Sequence, residues 1–256
     1  MADKIRIFIN RNRLNDEIDF NEELKLTSDE SHYLSRVMRL RSEAHIEVID
    51  GKGHLWGAKI IKKKALKLTS SFDNPLHFES RAKPLISIAV AIPKKGFDNF
   101  LQMSCEIGVD VIQPLISKRS VVKACKEEKI IRYQKIIYEA VEQSERLWCP
   151  ELKQVMKFPD WVNDLPSDAQ IGFAATRIKD LQDCVDWLRT MPHKVNQIWL
   201  VIGPEGGWNI EEEKLAFDSG FKVVSIGETI LRTSTAAVSA CQLMTSWRRN
   251  NSSIKN

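Results

Sequence analysis

An α/β fold in two parts is predicted: a small strand-rich domain, then a larger parallel sheet covered on both faces by helices. Three observations predict it. Short apolar runs alternate with amphipathic stretches of helical length from Ile86 onward, the signature of repeated βα units. Before residue 74 the runs are short and separated by turn residues such as Asp50-Gly51-Lys52-Gly53, which reads as a small barrel. Between the two lies a polar stretch bounded by Pro75 and Pro84. The expected boundaries are a strand domain over 1–74, a linker over 75–83 and a parallel-sheet domain over 84–256.

In the first part the expected strands are Ile5 to Ile9, Ile46 to Ile49, Leu55 to Ile61 and Leu66 to Phe72. One helix interrupts them. Thr27 with Glu30 three residues later is a capping-box signature, and Tyr33, Leu34, Val37 and Met38 make the apolar side of the helix. His32, Arg36 and Arg39 recur at i, i+4 and i+7, a polar stripe that suits a phosphate backbone or plain solvent.

In the second part strands are expected at Ile86 to Ile92, Val111 to Ile116, Ile171 to Ala175, Ile198 to Ile202 and Val223 to Ile226. Helices are expected at Phe97 to Ile107, Glu127 to Glu145, Leu181 to Met191, Ile210 to Ser219 and Thr233 to Arg248. Gln197 to Ile202 is apolar without alternation, as a strand buried on both faces requires. Asn209 with Glu212 forms a second capping box. The last helix opens on small side chains, Ala236, Ala237, Ser239 and Ala240, which let another backbone pack closely.

Composition bounds the function. With 43% hydrophobic residues in 256, and no apolar run near the ~18 residues of a membrane span, the chain reads as a soluble globular protein. Met1 to Arg6 has no signal-peptide apolar region. The five cysteines, Cys105, Cys125, Cys149, Cys184 and Cys241, form no C-x-x-C pair. They indicate neither a metal site nor a disulfide framework, and fit buried thiols in a reducing cytoplasm. A net charge of +4 permits nucleic-acid binding where basic residues cluster. They cluster at Arg36, Arg39 and Arg41, at Lys62 to Lys64, at Lys94 and Lys95, and at Lys118, Arg119 and Lys123. For any single cluster the ordinary reading is solvated surface charge.

Two turns carry the chemistry. Gly203-Pro204-Glu205-Gly206-Gly207 and Gly227 to Thr235 each follow an apolar strand, and ligands of parallel sheets collect at strand C-terminal ends. A phosphate loop would read G-x-x-x-x-G-K-[ST], but no Lys follows these glycines. No G-x-G-x-x-G occurs either, and the turn after the first strand of the sheet is Pro93-Lys94-Lys95-Gly96, which disfavours a Rossmann dehydrogenase. Glu205 would repel a phosphate yet suit a ribose hydroxyl or a sulfonium. The loop therefore points to S-adenosylmethionine as cofactor rather than a nucleotide.

Several motifs occur in one order along nearly the whole chain: His32-Tyr33-Leu34-Ser35-Arg36-Val37-Met38-Arg39-Leu40, Glu106-Ile107-Gly108-Val109 with Pro114 and Lys118-Arg119-Ser120-Val121, Glu139 to Ser144, the Gly203–Gly207 turn and Leu231 to Ala236. On these the chain resembles the ribosomal RNA small subunit methyltransferase E family of the SPOUT superfamily. The resemblance implies a PUA-like N-terminal β-barrel for RNA and a C-terminal trefoil-knot domain with a parallel sheet. It implies methylation of N3 of a uridine in 16S rRNA of the small ribosomal subunit, by a cytoplasmic homodimer with no metal. By that likeness the cofactor sits among Gly203, Pro204, Glu205, Gly206, Gly207, Ile226, Gly227, Ile230 and Leu231, with Thr235 either meeting it or capping the last helix. Arg232 and Arg119 are the candidate cations for charge spreading over uracil O2 and O4. Glu142, Gln143 and Glu205 are the candidate proton acceptors, and Arg6, Arg11, His32, Arg36, Arg39, Lys94 and Lys95 the candidate RNA contacts. Two positions depart from the family pattern: Ser234 stands where it has Glu, and Glu145 where it has Gly. The competing readings are a SPOUT enzyme for another RNA such as tRNA, and a non-catalytic RNA-binding protein, in which the two glycine turns would have no purpose.

Overall fold

The computed structural model describes residues 5–14, 23–62, 64–166, 168–176, 178, 181–192 and 194–252. Of the Lys62 to Lys64 cluster, Lys63 lies outside them. The chain divides into two compact units, Met1–Arg81 with Tyr138–Cys149, and Ala82–Ile137 with Pro150–Asn256.

The first unit is built on β1 (Arg6–Phe8), β2 (Leu24–Lys25), β3 (His45–Ile49), β4 (His54–Lys62), β5 (Ala65–Leu68) and β6 (His77–Phe78). The sheet runs β1-β3-β4-β5-β2, with β6 paired to β4. Ile7 from one end of that path and Leu24 from the other join Val48, Trp56 and Leu66 in a single core, the arrangement of a small barrel. Helix α1 (Ser28–His32) starts at the Thr27–Glu30 capping box, both halves of which form.

The expected basic stripe does not follow one helical face. After His32 the chain widens into a π-helical turn, Tyr33–Val37, and Arg39 takes a left-handed φ of 54° beyond its end. A face repeating at 3.6 residues is lost when each turn carries an extra residue. His32, Arg36 and Arg39 stay exposed, but not at regular helical spacing. Leu34 is buried as expected, whereas Val37 is 57% exposed.

Two boundaries differ from the sequence expectation. Within the stretch assigned to a linker over 75–83, His77–Phe78 forms β6 against His54 and Leu55. The segment Tyr138–Cys149, assigned to the second domain, groups with the first. There the Tyr138 ring stacks on Phe8 at 4.2 Å, the Phe8 N–H donates to Glu142 Oε1 at 2.7 Å, and the Cys149 N–H donates to the Gly51 carbonyl. Contacts this distant in sequence leave no trace in local pattern.

Helix α3 (Glu127–Gln143) ends in this segment with a left-handed residue. Glu145 has φ 57°, and the Arg146 N–H reaches back to the Val141 carbonyl, the closing bond of a Schellman cap whose left-handed position favours glycine. This is where the family pattern has Gly. Glu145→Gly is therefore expected to raise stability by about 1 kcal/mol, the cost of a left-handed L-residue. Thermal melting checks it, and an unchanged or lower melting temperature would reject it.

The second unit is one eight-stranded sheet of β7 (Leu85–Ala91), β8 (Val111–Ile116), β9 (Glu151–Leu152), β10 (Met156–Lys157), β11 (Gln170–Ala174), β12 (Gln182–Asp183), β13 (Gln197–Ile202) and β14 (Lys222–Ser225). Its order is β10-β8-β7-β13-β11-β14-β12, with β9 also on β8, and every pairing is parallel. Besides the first part of α3, helices α2 (Phe97–Ile107), α4 (Phe158–Asn163), α5 (Cys184–Arg189), α6 (Ile210–Asp218) and α7 (Thr233–Ser252) belong to it. After Leu85, β7 is buried at every position, as is β13 after Gln197. Strands β9, β10 and β12 and helix α4 escaped the sequence reading. They are two to six residues long, shorter than a period-based signal needs. The stretch Leu181 to Met191, expected as one helix, divides into β12 and α5 at an Asp183 N-cap that accepts the Val185 N–H.

Candidate active site

Parallel strands all end on the same side, so the loops after β8, β11, β13 and β14 converge at one edge of the sheet. Between them is a cavity of about 600 Å³. Its walls are Ala174 to Thr176 and Ile178 after β11, Ile202 to Trp208 after β13, Ser225 to Gly227 and Thr229 to Thr233 after β14, with Arg119, Glu213 and Ala236. Gly203, Pro204, Glu205, Gly206, Gly207, Ile226, Gly227, Ile230 and Leu231 are all brought together here, with Arg119 and Arg232.

The first loop is shaped by its own packing. Trp208 folds back beneath it, 6% exposed, with its ring 4.9 Å from Phe173 and 4.7 Å from Phe158. Its Nε1–H donates to the Ala174 carbonyl at 3.3 Å. A Cβ on Gly203 would meet the Trp208 ring at 2.8 Å, so glycine there makes room for an indole. Gly207 has φ 69°, the left-handed turn that carries the chain into α6. The Asn209–Glu212 capping box forms. Glu212, 4% exposed, also accepts the Lys118 N–H at 2.8 Å, which ties the loop after β8 to the start of α6. The two glycine loops are joined by Thr233, whose Oγ1–H donates to the Gly203 carbonyl at 3.0 Å.

The candidate catalytic residues separate. Arg119 donates from Nη1 to the Trp208 carbonyl at 2.8 Å and more weakly to that of Gly206, so it braces the cavity wall. Arg232 is exposed on the cavity lining. Glu205 lines the cavity and accepts the Lys94 N–H at 3.0 Å through one oxygen. Glu142 does not line it: its carboxylate belongs to the first unit, where it holds the Phe8 amide. Gln143, the last residue of α3, is likewise in the first unit and absent from the lining. Thr235 is also absent from the lining and cannot be the cap, because α7 begins two residues earlier at Thr233.

The expected RNA contacts also divide. Arg6 is paired with Glu47 at 2.8 Å and Arg11 with the buried Asp50 at 2.6 Å. Both guanidinium charges are thus largely used inside the unit. Lys94 and Lys95 stay exposed in the turn between β7 and α2. Sequence reasoning missed Ala174 to Thr176, Ile178, Glu213 and Ser225, and gave Thr233, inside the second turn, no role of its own. The rule that ligands collect at strand C-terminal ends, applied to β11 as well, would have found the first of these.

Burial pushes the Glu142 carboxyl up to about 7, with the Glu139 and Glu30 carboxylates adding to the rise and the Phe8 N–H opposing it. A folded-state value above the unfolded one favours the neutral acid. Stability is then fully present below about 4.5 and is lost as pH rises through about 7. Glu142→Gln, which keeps an acceptor for Phe8, is expected to flatten that slope and to be more stable at pH 8 by about 2–3 kcal/mol. Denaturant melts of both proteins at pH 5 and pH 8 check this, and parallel pH dependences would refute it.

The RNA methyltransferase domain family matches residues 81–245, and the RNA methyltransferase PUA domain family matches residues 26–69. A PUA domain joined to a methyltransferase domain is the class of protein these matches define. The ribosomal RNA small subunit methyltransferase E of Synechocystis sp. is 33% identical over 215 residues, 82% of this chain and 69% of the relative. That of Rickettsia conorii is 30% identical over 239 residues, 90% of this chain and 93% of the relative. A crystal structure of the Neisseria gonorrhoeae ribosomal RNA small subunit methyltransferase E, bound to S-adenosylmethionine, superposes with a TM-score of 0.78 at 29% identity, over 95% of this chain and 98% of that one. The chain belongs to the ribosomal RNA small subunit methyltransferase E family.

Proposed function

We propose that this chain transfers the methyl group of S-adenosylmethionine to N3 of a uridine in 16S rRNA of the small ribosomal subunit, working as a homodimer. The observation that carries this reading is the cavity between the two glycine loops in a chain of this family. Its residues fit the cofactor. Residues 203–207, 226, 227 and 229–231 border a space of about 600 Å³, with Ile202, Ile226 and Leu231 as apolar walls suited to an adenine. Glu205 and Glu213 are the carboxylates on the lining and Arg119 and Arg232 its cations; Arg119 is engaged by backbone carbonyls, and a carboxylate such as Glu205 suits the cofactor's sulfonium or ribose hydroxyls.

The cofactor supplies an already activated methyl group. The protein's share is positioning and charge. Arg232 faces the charge that gathers on uracil O2 and O4 as the N3 proton leaves. Glu205 is the proton acceptor, directly or through a water: of the three candidates it alone lines the cavity, and the Lys94 amide fixes its other oxygen. Ser234, in the first turn of α7, offers no carboxylate at the position where the family pattern has one. A trefoil knot follows from the family likeness. Among the described residues no helix is long and apolar enough to cross a membrane, and no cluster of side chains could hold a metal.

The test is transfer of labelled methyl from S-adenosylmethionine to small-subunit RNA lacking the modification, followed by mass mapping of the product nucleotide. A single N3-methyluridine is expected. Label on another base, or only on tRNA, would overturn the substrate assignment.

A further inference from the structure

An aromatic stack in the first unit ends in solvent rather than in the core. Its inner anchor is Trp56, fully buried, whose Nε1–H donates to the Phe72 carbonyl at 3.1 Å. The Phe72 ring lies 5.4 Å away, and the Arg11 guanidinium covers it at 4.5 Å. On the other side His54 stacks on Trp56 at 5.5 Å, and the Phe78 ring follows at 4.8 Å. Phe78 is 53% exposed. It is held there by the β4–β6 pairing, in which His54 faces Phe78.

Two members of the stack, Arg11 and His54, are held by one carboxylate. Asp50, whose side chain has no exposed surface, accepts the backbone N–H groups of Lys52 and His54. Its Oδ2 lies 2.6 Å from Arg11 Nη1 and 2.9 Å from His54 Nδ1. Beside β6, Arg81 lies over the Trp148 ring at 5.3 Å, and Trp148 donates to the Glu79 carbonyl at 2.9 Å. A lone exposed Phe needs no explanation. A Phe at the open end of an ordered series of rings is different: it presents an apolar face fixed by its neighbours, with one guanidinium–ring pair at the inner end of the series and another, Arg81 over Trp148, beside the strand that carries it. Unpaired nucleobases are recognised by such a surface, through stacking on aromatic rings beside cations.

We propose that Phe78, backed by His54, stacks an unpaired base of the substrate RNA, so that this edge of the first unit is an RNA contact separate from the Arg36 and Arg39 region. The proposal rests on the RNA reading above. It assigns Phe78 to base stacking and Asp50 to positioning, through His54 and Arg11.

The test uses the full chain and a fluorescein-labelled single-stranded RNA about 12 nucleotides long, within the range such sites occupy. Phe78→Leu is expected to weaken binding about tenfold and Phe78→Trp to restore it, because stacking strength and not bulk is what changes. The salt dependence stays the same in both, since no charge is removed. Thermal melting and S-adenosylmethionine binding of the variants match the native chain. Native-like RNA affinity for Phe78→Leu overturns the proposal and leaves the RNA reading intact. An equal loss on fully duplex RNA overturns it as well, by showing contact without an unpaired base. Unchanged affinity for RNA with weaker binding to assembled small subunits assigns the edge to a ribosomal protein instead. A native chain that binds no RNA sinks the functional reading itself.

Discussion

Arg232→Ala is expected to lower methyl transfer by about 10²–10³-fold while leaving cofactor affinity within about twofold of native. The contrast with Arg119 supplies the argument. Both guanidinium groups border the same cavity, but Arg119 is held by the Trp208 and Gly206 carbonyls, whereas no hydrogen bond or ion pair holds the Arg232 guanidinium among the described residues. A cation already satisfied by the protein shapes the wall, and one left at the cavity lining can answer charge that develops only during reaction. Arg119→Ala is accordingly expected to raise the KM for S-adenosylmethionine along with its effect on kcat, since the loop relaxes before any chemistry. Steady-state kinetics with calorimetric cofactor binding separate the two. Equal losses of affinity and turnover for Arg232→Ala would move that residue from transition-state stabilisation to binding.

Trp208→Ala is expected to destabilise the fold by about 3–5 kcal/mol, the usual cost of removing a buried aromatic ring. The indole is packed against Phe158 and Phe173 in the core shared with Trp161, Trp199 and Phe221. It also carries the Gly203 loop, because the chain passes over the ring too closely for a Cβ. Cofactor binding should fall with stability. Gly203→Ala probes the same contact from the other side: its Cβ would stand 2.8 Å from the ring, and overpacking of that kind costs about 1–3 kcal/mol. Denaturant unfolding of both variants provides the check. A Gly203→Ala protein with native stability and native cofactor affinity would mean that the indole is free to move, and that the loop's form is decided elsewhere.

Periodicity carried well where elements are long and buried. Phe97–Ile107 and Val111–Ile116 match the expected limits residue for residue, because an amphipathic helix ending at Gly108 and a continuous apolar strand each have a strong local signal. Both capping boxes formed for the same reason: a side chain three residues from its partner needs no tertiary help. Regularity failed where the backbone departed from it, at the π-helical turn after His32, which scattered the basic stripe. Nothing in the sequence separated Glu142 from Gln143 and Glu205 as a proton acceptor; the structure commits Glu142 to the Phe8 amide.

What the chain determined by itself was therefore local: which segments are strands and helices, where helices start, and that two glycine turns follow parallel strands at the end where ligands collect. Only the tertiary structure decided which charged groups remain available. Asp50 and Glu47 take up Arg11 and Arg6, and Trp208 and Gly206 hold Arg119, while Arg232 and one oxygen of Glu205 are left at the cavity. The physical reason is that a charge is neutralised by whatever lies within a few ångströms, and those neighbours come from residues 39 to 89 positions away in the chain, a distance over which no local pattern reports.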